Sequence, residues 1–226
     1  LIIKKYSINN MLSDYDKIWN FKKISKNKIL HIINSLNQGG AEKALTNLIN
    51  FDDKNNHIVV SLLKKGFFSK QLENKKIKIY YLNMSKKNIL INFFHIFRLI
   101  LITLRENPKI IQTWLYHSDF IGSILSIILF KRNVFWTIVN FNLERKYNKF
   151  FTNIILKINR FLSFYIPKKI ICCSEASIRN HINFGFSEKK FVFIPLGFDI
   201  NLYKPIKNID IKKTIDSNFL IKKTDF

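Results

Sequence analysis

Four short segments hold the residues whose types and spacing could do chemistry. The first is Gly39-Gly40, which closes a polar loop over 35–38 and precedes a helical pattern that begins at Ala41. Adjacent glycines let backbone approach a ligand closely, and the first turn of a following helix offers N–H groups to an anion. The pair has neither the G-x-G-x-x-G spacing of a dinucleotide site nor the G-x-x-x-x-G-K-[ST] of a P-loop, so a tight turn and a ligand cradle stand level on spacing alone. The second is Gln112-Thr113-Trp114-Leu115-Tyr116-His117-Ser118-Asp119. Its rings offer flat apolar faces and its His, Asp and Gln offer hydrogen bonds, the combination a sugar needs. The competing reading has Trp114 filling core and Ser118 or Asp119 capping a helix, and for Asp119 the cap is preferred. The third is Ser174-Glu175, which capping and the helix dipole explain without a ligand. The fourth, Ile194-Pro195-Leu196-Gly197-Phe198-Asp199, reads by itself as a turn.

Other chemistries find no residues. His31, His57, His95, His117 and His181 form no H-x-x-x-H pair, there is no G-x-S-x-G elbow, and no two carboxylates stand out as a glycosidase dyad. Cys172 and Cys173 are adjacent, which gives neither metal spacing nor a disulfide framework. They lie in an apolar run and read as core thiols of a protein in a reducing cytoplasm.

The elements that must position these segments alternate regularly. Short apolar runs at 29–34, 57–63, 77–82, 110–114, 134–140, 169–173 and 191–194 read as strands. Helical spacing over 41–49, 67–74, 88–105, 118–130, 149–165 and 174–184 fills the intervals, with Gly185 as a stop signal. Strand–helix alternation with runs lacking polar alternation predicts an α/β fold, a doubly wound Rossmann-like parallel sheet with helices on both faces. Residues 1–27 read as a polar, basic, aperiodic extension.

Length and composition agree. A chain of 226 residues with 47% hydrophobic residues can build one sizeable core. The formal charge is +23. Lysines are spread along the chain without a basic block or an aromatic-interleaved basic motif, so compositional drift comes first, an anionic membrane surface second, and nucleic acid is set aside. The apolar stretch 89–104 is interrupted by Asn92, His95 and Arg98, and 120–130 is too short to span a bilayer. No signal-peptide layout opens the chain, and the first residue, Leu1, fits a fragment or an unusual start.

Taken together, IINSLNQGGAEKALTNL at 32–48, IIQTWLYHSDFIGS at 110–123 and IICCSEASIRNHINFGFSEKKFVFIPLGFDINLYKP at 170–205 resemble the N-terminal domain of glycosyltransferase family 4. The resemblance runs from about Lys28 to Pro205. It implies the N-terminal, acceptor-side half of a GT-B fold, at 28–205, with 206–226 a linker and the start of a donor-side domain that 21 residues cannot complete. It implies retaining transfer of a hexose-type sugar from a nucleotide-sugar to a glycan or lipid-linked acceptor in cell-envelope polysaccharide or lipopolysaccharide synthesis. No metal or other cofactor is expected. Carried over residue by residue, Gly39 and Gly40 would line the cleft near the donor phosphates, and Ser174 and Glu175 would lie at its rim. Trp114, His117 and Asp119 would face the acceptor. Asn140 stands where the family often presents a cleft histidine; it can hydrogen-bond a sugar but cannot act as acid or base. Pro195-Leu196-Gly197 replaces the family's PNG. The chain alone is expected to be inactive, needing a partner chain for the donor half, and to work in the cytoplasm at the inner face of the membrane. The alternative is a non-catalytic module binding a glycan or an anionic membrane.

Overall fold

A computed structural model describes residues 6–19, 26–85, 89–139 and 150–198. Seven strands form one sheet: β1 (Lys28–Ile33), β2 (Asn56–Ser61), β3 (Lys78–Tyr81), β4 (Ile110–Trp114), β5 (Val134–Ile138), β6 (Lys169–Cys172) and β7 (Phe191–Phe193). Their spatial order is β3-β2-β1-β4-β5-β6-β7, and every neighbouring pair is parallel. The helices are α1 (Ile8–Trp19), α2 (Gly40–Phe51), α3 (Ser69–Asn74), α4 (Ile89–Glu106), α5 (Tyr116–Ile128), α6 (Phe150–Leu162) and α7 (Glu175–Phe184). The expected doubly wound α/β sheet is the observed one.

Why these segments take these places follows from burial. The central strands are covered on both faces, so runs such as KILHII are apolar without alternation. Successive side chains still point to opposite faces. Ile29, Ile33, Val59 and Ile110 pack with Leu45, Leu48 and Leu72 from α2 and α3 in one core. Leu30, Ile32, Val60 and Ile111 pack with Leu99, Leu125 and Leu156 from α4, α5 and α6 in the other. Winding outward from β1 in one direction and from β4 in the other puts the two helix layers on opposite faces, because parallel crossovers are right-handed. Cys172 is buried and Cys173 half-buried with its thiol pKa pushed up by burial, in keeping with inert core thiols.

One expectation is corrected. Within 1–27, residues 8–19 are no aperiodic extension: they form α1, which buries Ile8, Met11, Tyr15 and Trp19 in the first core. Those residues are spaced three, four and four apart, the stripe of an amphipathic helix. Trp19 donates its indole N–H to Gln112 Oε1 at 3.1 Å. The Tyr15 hydroxyl meets Thr137. Gly197 is what lets the far end of the chain close on this helix. A Cβ there would lie 2.7 Å from Ile8 Cα. Next to it, Ser7 and Phe198 form a parallel bridge.

Candidate functional site

In a parallel sheet all strand carboxyl ends share one rim, and ligands bind where the strand order reverses. Here that point lies between β1 and β4. The Gly39-Gly40 loop follows β1, His117 follows β4, and Ser174-Glu175 follows β6, so these residues gather on the same rim. Asn140 lies outside the described residues, as do Asp199 and residues 206–226.

The loop after β1 is braced from three sides. Leu63 N–H donates to Asn34 O at 2.9 Å and Phe68 N–H to Leu36 O at 2.8 Å, which ties it to the segment after β2. Gly66 is the contact point: a Cβ there would sit 2.5 Å from the Leu36 carbonyl carbon. Ser118 Oγ donates to Asn34 Oδ1 at 3.0 Å, joining the loops of β1 and β4 across the reversal point. Glu42, in the first turn of α2, folds back under the loop and accepts from Ser35 Oγ at 3.0 Å. A Cβ on Gly39 would lie 2.3 Å from Glu42 Oε2, so the glycine gives the carboxylate its place. Gly40 is exposed, and among the described residues a Cβ there would meet nothing closer than Val139 Cγ1 at 3.9 Å, beyond the end of β5. The first turn of α2 thus faces the rim, with N–H groups oriented to favour an anion. Glu42 and Asn34 lie outside the four candidate segments, and Ser118, read there as a possible helix cap, instead donates across the reversal point. The sequence signal for Glu42 was its place in the first helical turn beside two glycines.

Leu115 links β4 to α5 with φ of 70° and ψ of 158°. That region is comfortable only for glycine and costs roughly 1–3 kcal/mol elsewhere. The conformation is held by Leu115 N–H donating to Thr137 O at 3.0 Å and by Asp119 N–H donating to Leu115 O at 2.9 Å. It turns the chain sharply, leaving His117 half-buried at the rim. We expect Leu115→Gly to be more stable than Leu115→Ala by about 1 kcal/mol, since both lose the half-buried leucine side chain and only glycine takes this conformation without strain. Chemical denaturation reads this, and an alanine variant as stable as the glycine one would show the turn to be unstrained.

Two expected acceptor contacts are corrected. Trp114 is 1% exposed and faces α1, where its indole N–H donates to His31 Nδ1 at 3.2 Å. From there His31 Nε2 meets His57 Nδ1 at 2.9 Å, and His57 Nε2 meets Asp52 Oδ2 at 3.1 Å. An indole only donates, so the protons run one way, from Trp114 through both imidazoles to the carboxylate. Burial, then the neighbouring His57, holds the His31 pKa far below the usual range. Asp119 is also fully buried, and Thr113 Oγ1 donates to it; burial pushes its carboxyl far above the ordinary value. Neither side chain reaches the rim.

Tyr116 and His181 are structural as well. The Tyr116 hydroxyl lies 2.8 Å from His181 Nε2, and His181 Nδ1 lies 2.7 Å from Ser177 O. A carbonyl only accepts, so Nδ1 carries the proton and Nε2 accepts from the tyrosine. The burial that lowers the His181 pKa favours this neutral form. Asn159 Nδ2 donates to Tyr116 O at 2.8 Å, so this one residue ties α5 to α6 and α7. Ser174 caps α7, its Oγ accepting from Ser177 N–H at 3.4 Å, and Gly185 ends the helix at φ of 101°. Glu175 is exposed, 4.0 Å from Arg179 Nη1. Among the described residues no group of three His, Cys, Asp or Glu side chains could hold a metal ion. A hollow of about 350 Å³ lined by Asn10, Lys17, Phe193 and Pro195 lies between α1 and the end of β7, apart from the reversal point.

An open parallel sheet of this order with a glycine loop at its turning point is a Rossmann-like domain, the fold found in the N-terminal half of GT-B glycosyltransferases. The family model for Glycosyltransferase Family 4 matches residues 38–202, and the chain belongs to that family. It is 27% identical over 191 residues to the capsular polysaccharide biosynthesis glycosyltransferase CapH of Staphylococcus aureus, covering 80% of this chain and 50% of that protein. Anabaena Alr3699/HepE in complex with UDP and glucose shares the fold, with a TM-score of 0.67 and 24% identity over 84% of this chain and 50% of that one. A glycosyltransferase from Rickettsia africae gives a TM-score of 0.57 and 19% identity over 85% and 49% of the two chains. The chain spans about half the length of these proteins.

Proposed function

We propose that this chain supplies the acceptor-side wall of a glycosyltransferase, which moves a hexose-type sugar from a nucleotide-sugar to a glycan or lipid-linked acceptor with retention at the anomeric carbon. The observation that carries the reading is the gathering of Gly39, Gly40, His117, Ser174 and Glu175 on one rim within the family match at 38–202. The exposed Gly40 and the first turn of α2 suit a donor phosphate, and the half-buried His117 suits an acceptor hydroxyl. Asn140 is proposed as a polar contact to the reacting sugar. A uridine diphosphate donor is supported by the UDP bound to HepE, and cell-envelope polysaccharide as the product by the role of CapH. The reaction is placed in the cytoplasm, where nucleotide-sugars are made, and needs no metal.

A donor-side domain completes the cleft, from a partner chain or from sequence beyond 226. With such a domain supplied in trans, UDP-sugar and a lipid-linked saccharide are expected to give product whose anomeric configuration, read by proton NMR, matches the donor. Chelator leaves the rate unchanged, and the chain by itself gives none. Turnover by the isolated chain would refute the two-part cleft, and an inverted product would refute retention.

A further inference from the structure

The helix layer formed by α4, α5 and α6 is covered on its inner side by the sheet and bare on its outer side. On α4, Phe93, Phe97, Leu101 and Leu104 are exposed at spacings of four, four and three. On α6, Phe150, Ile154, Ile158 and Phe161 repeat the same spacing, also exposed. Phe130, between the two helices in sequence, is 89% exposed. Apolar surface repeated at helical period on two helices of one layer is more than the scattered apolar exposure of an ordinary surface.

The charges on this layer have one sign. Among the described residues from 92 to 168 the only carboxylates are Glu106 and Asp119, and both are buried. Arg98, Arg105, Arg132, Lys157 and Arg160 are all exposed. A second copy of the chain would press cations on cations, with no exposed carboxylate among the described residues of these three helices between them. Anionic headgroups pair with such cations, while phenylalanines and leucines enter the boundary of the acyl region. No helix among the described residues is long and apolar enough to cross a membrane, so the contact is one of lying on the surface.

We propose that the outer face of α4, α5 and α6 docks on an anionic lipid bilayer. Helices of a parallel α/β layer run opposite to the strands, so the stripe extends from Phe93 and Phe150, near the sheet's carboxyl edge, to Leu104 and Phe161 at the other. The layer therefore docks along its length, with the rim at one side of the contact. The benefit to a lipid-linked acceptor rests on the function proposed above, but the docking itself does not, and vesicle binding is measured without any transfer reaction.

The test is co-sedimentation of the full chain with phosphatidylcholine vesicles, with and without phosphatidylglycerol. Binding is expected to be at least about tenfold tighter with the anionic lipid. The pair Arg98→Glu and Arg160→Glu is expected to weaken it at least about 25-fold, each cation being worth roughly fivefold. Phe150→Ser with Phe151→Ser is expected to weaken it about tenfold or more. The control pair Lys43→Glu and Lys70→Glu reverses as much charge on α2 and α3, across the sheet, and should change binding less than about twofold. Failure to bind anionic vesicles, or an equal loss in the control pair, would overturn the proposal. So would a dimer that the Phe150 and Phe151 changes dissolve in the absence of vesicle binding. All substituted side chains are exposed, so unfolding midpoints should match the parent, and the arginine pair decides the matter if the phenylalanine pair folds poorly.

Discussion

Replacing Trp114 with alanine is expected to cost about 3–5 kcal/mol of stability, read from denaturant unfolding. The side chain is among the largest that are fully buried, and it packs in the core shared with α1 and α2. Truncation would leave a cavity and would take from His31 the donor at 3.2 Å that fixes its tautomer. Trp114→Phe separates the two effects. It keeps most of the volume and loses the N–H, for an expected cost of about 1–3 kcal/mol from the unsatisfied acceptor. A tryptophan that faced an acceptor sugar would behave differently, since its loss would weaken binding and spare the fold. If Trp114→Ala cost under about 1 kcal/mol, the residue would have to be returned to the cleft.

Below about pH 6.5 the protein is expected to lose its advantage over a His31→Leu variant at about 1.4 kcal/mol for each pH unit. The sign follows from the direction of the shift. The folded-state pKa of His31 is depressed, by burial first and by His57 second, from an ordinary value of 6.5. The unfolded chain therefore takes up a proton that the folded one refuses. The stabilisation is whole above the unfolded value and drains as pH falls toward the folded one. His31→Leu has no such group, so its curve lacks this slope, and the opposing influence of the buried Asp119 cancels because both proteins carry it. The variant also leaves the Trp114 N–H and His57 Nδ1 unpartnered, which lowers its stability at neutral pH. A second step is expected in more acid solution. Burial works to raise the Asp52 pKa, but hydrogen bonds from His57 and Asn55 prevail and bring it from 3.8 to about 2. That carboxylate contributes on the order of 2 kcal/mol above pH 4, lost as pH falls through 2. Parallel curves from pH 7 to 5 would mean that His31 takes its proton equally well in both states.

The sheet could be read from the sequence because doubly covered strands have to be apolar and short. ILHII, IIQTW and VFWTI carry that requirement in their own letters. The cap at Ser174 and the stop at Gly185 were legible for the same reason, since the chemistry of a helix end is local. The helix α1 was harder. Ile8, Met11, Tyr15 and Trp19 have the right period, but Asn, Asp and Lys surround them, and their partners Gln112, Thr137 and Gly197 lie far along the chain. One omission produced the next. Strand parity puts Gln112 and Trp114 on the face that α1 covers, so without α1 both looked like polar or aromatic groups waiting for a ligand. Asp119 misled for a different reason, because only the fold reveals that Thr113 donates to it in the core, with Gly122 packed against that threonine. What lies at the rim is what the turns alone dictate: two glycines, a histidine in a first helical turn, and a capping serine followed by a glutamate.

Phe198 N–H donates to Tyr6 O at 2.9 Å, and Ile8 N–H donates to Phe198 O at 3.2 Å, so the described polypeptide enters and leaves through one doorway. Anything joined at either side hangs from the same spot, beside the last strand. A tug between the two sides would strip a single bridge and prise off α1 long before it loaded the middle of the sheet. The mechanical clasp of this unit is thus one helix thick, and it closes over the Trp19 and Gln112 pair.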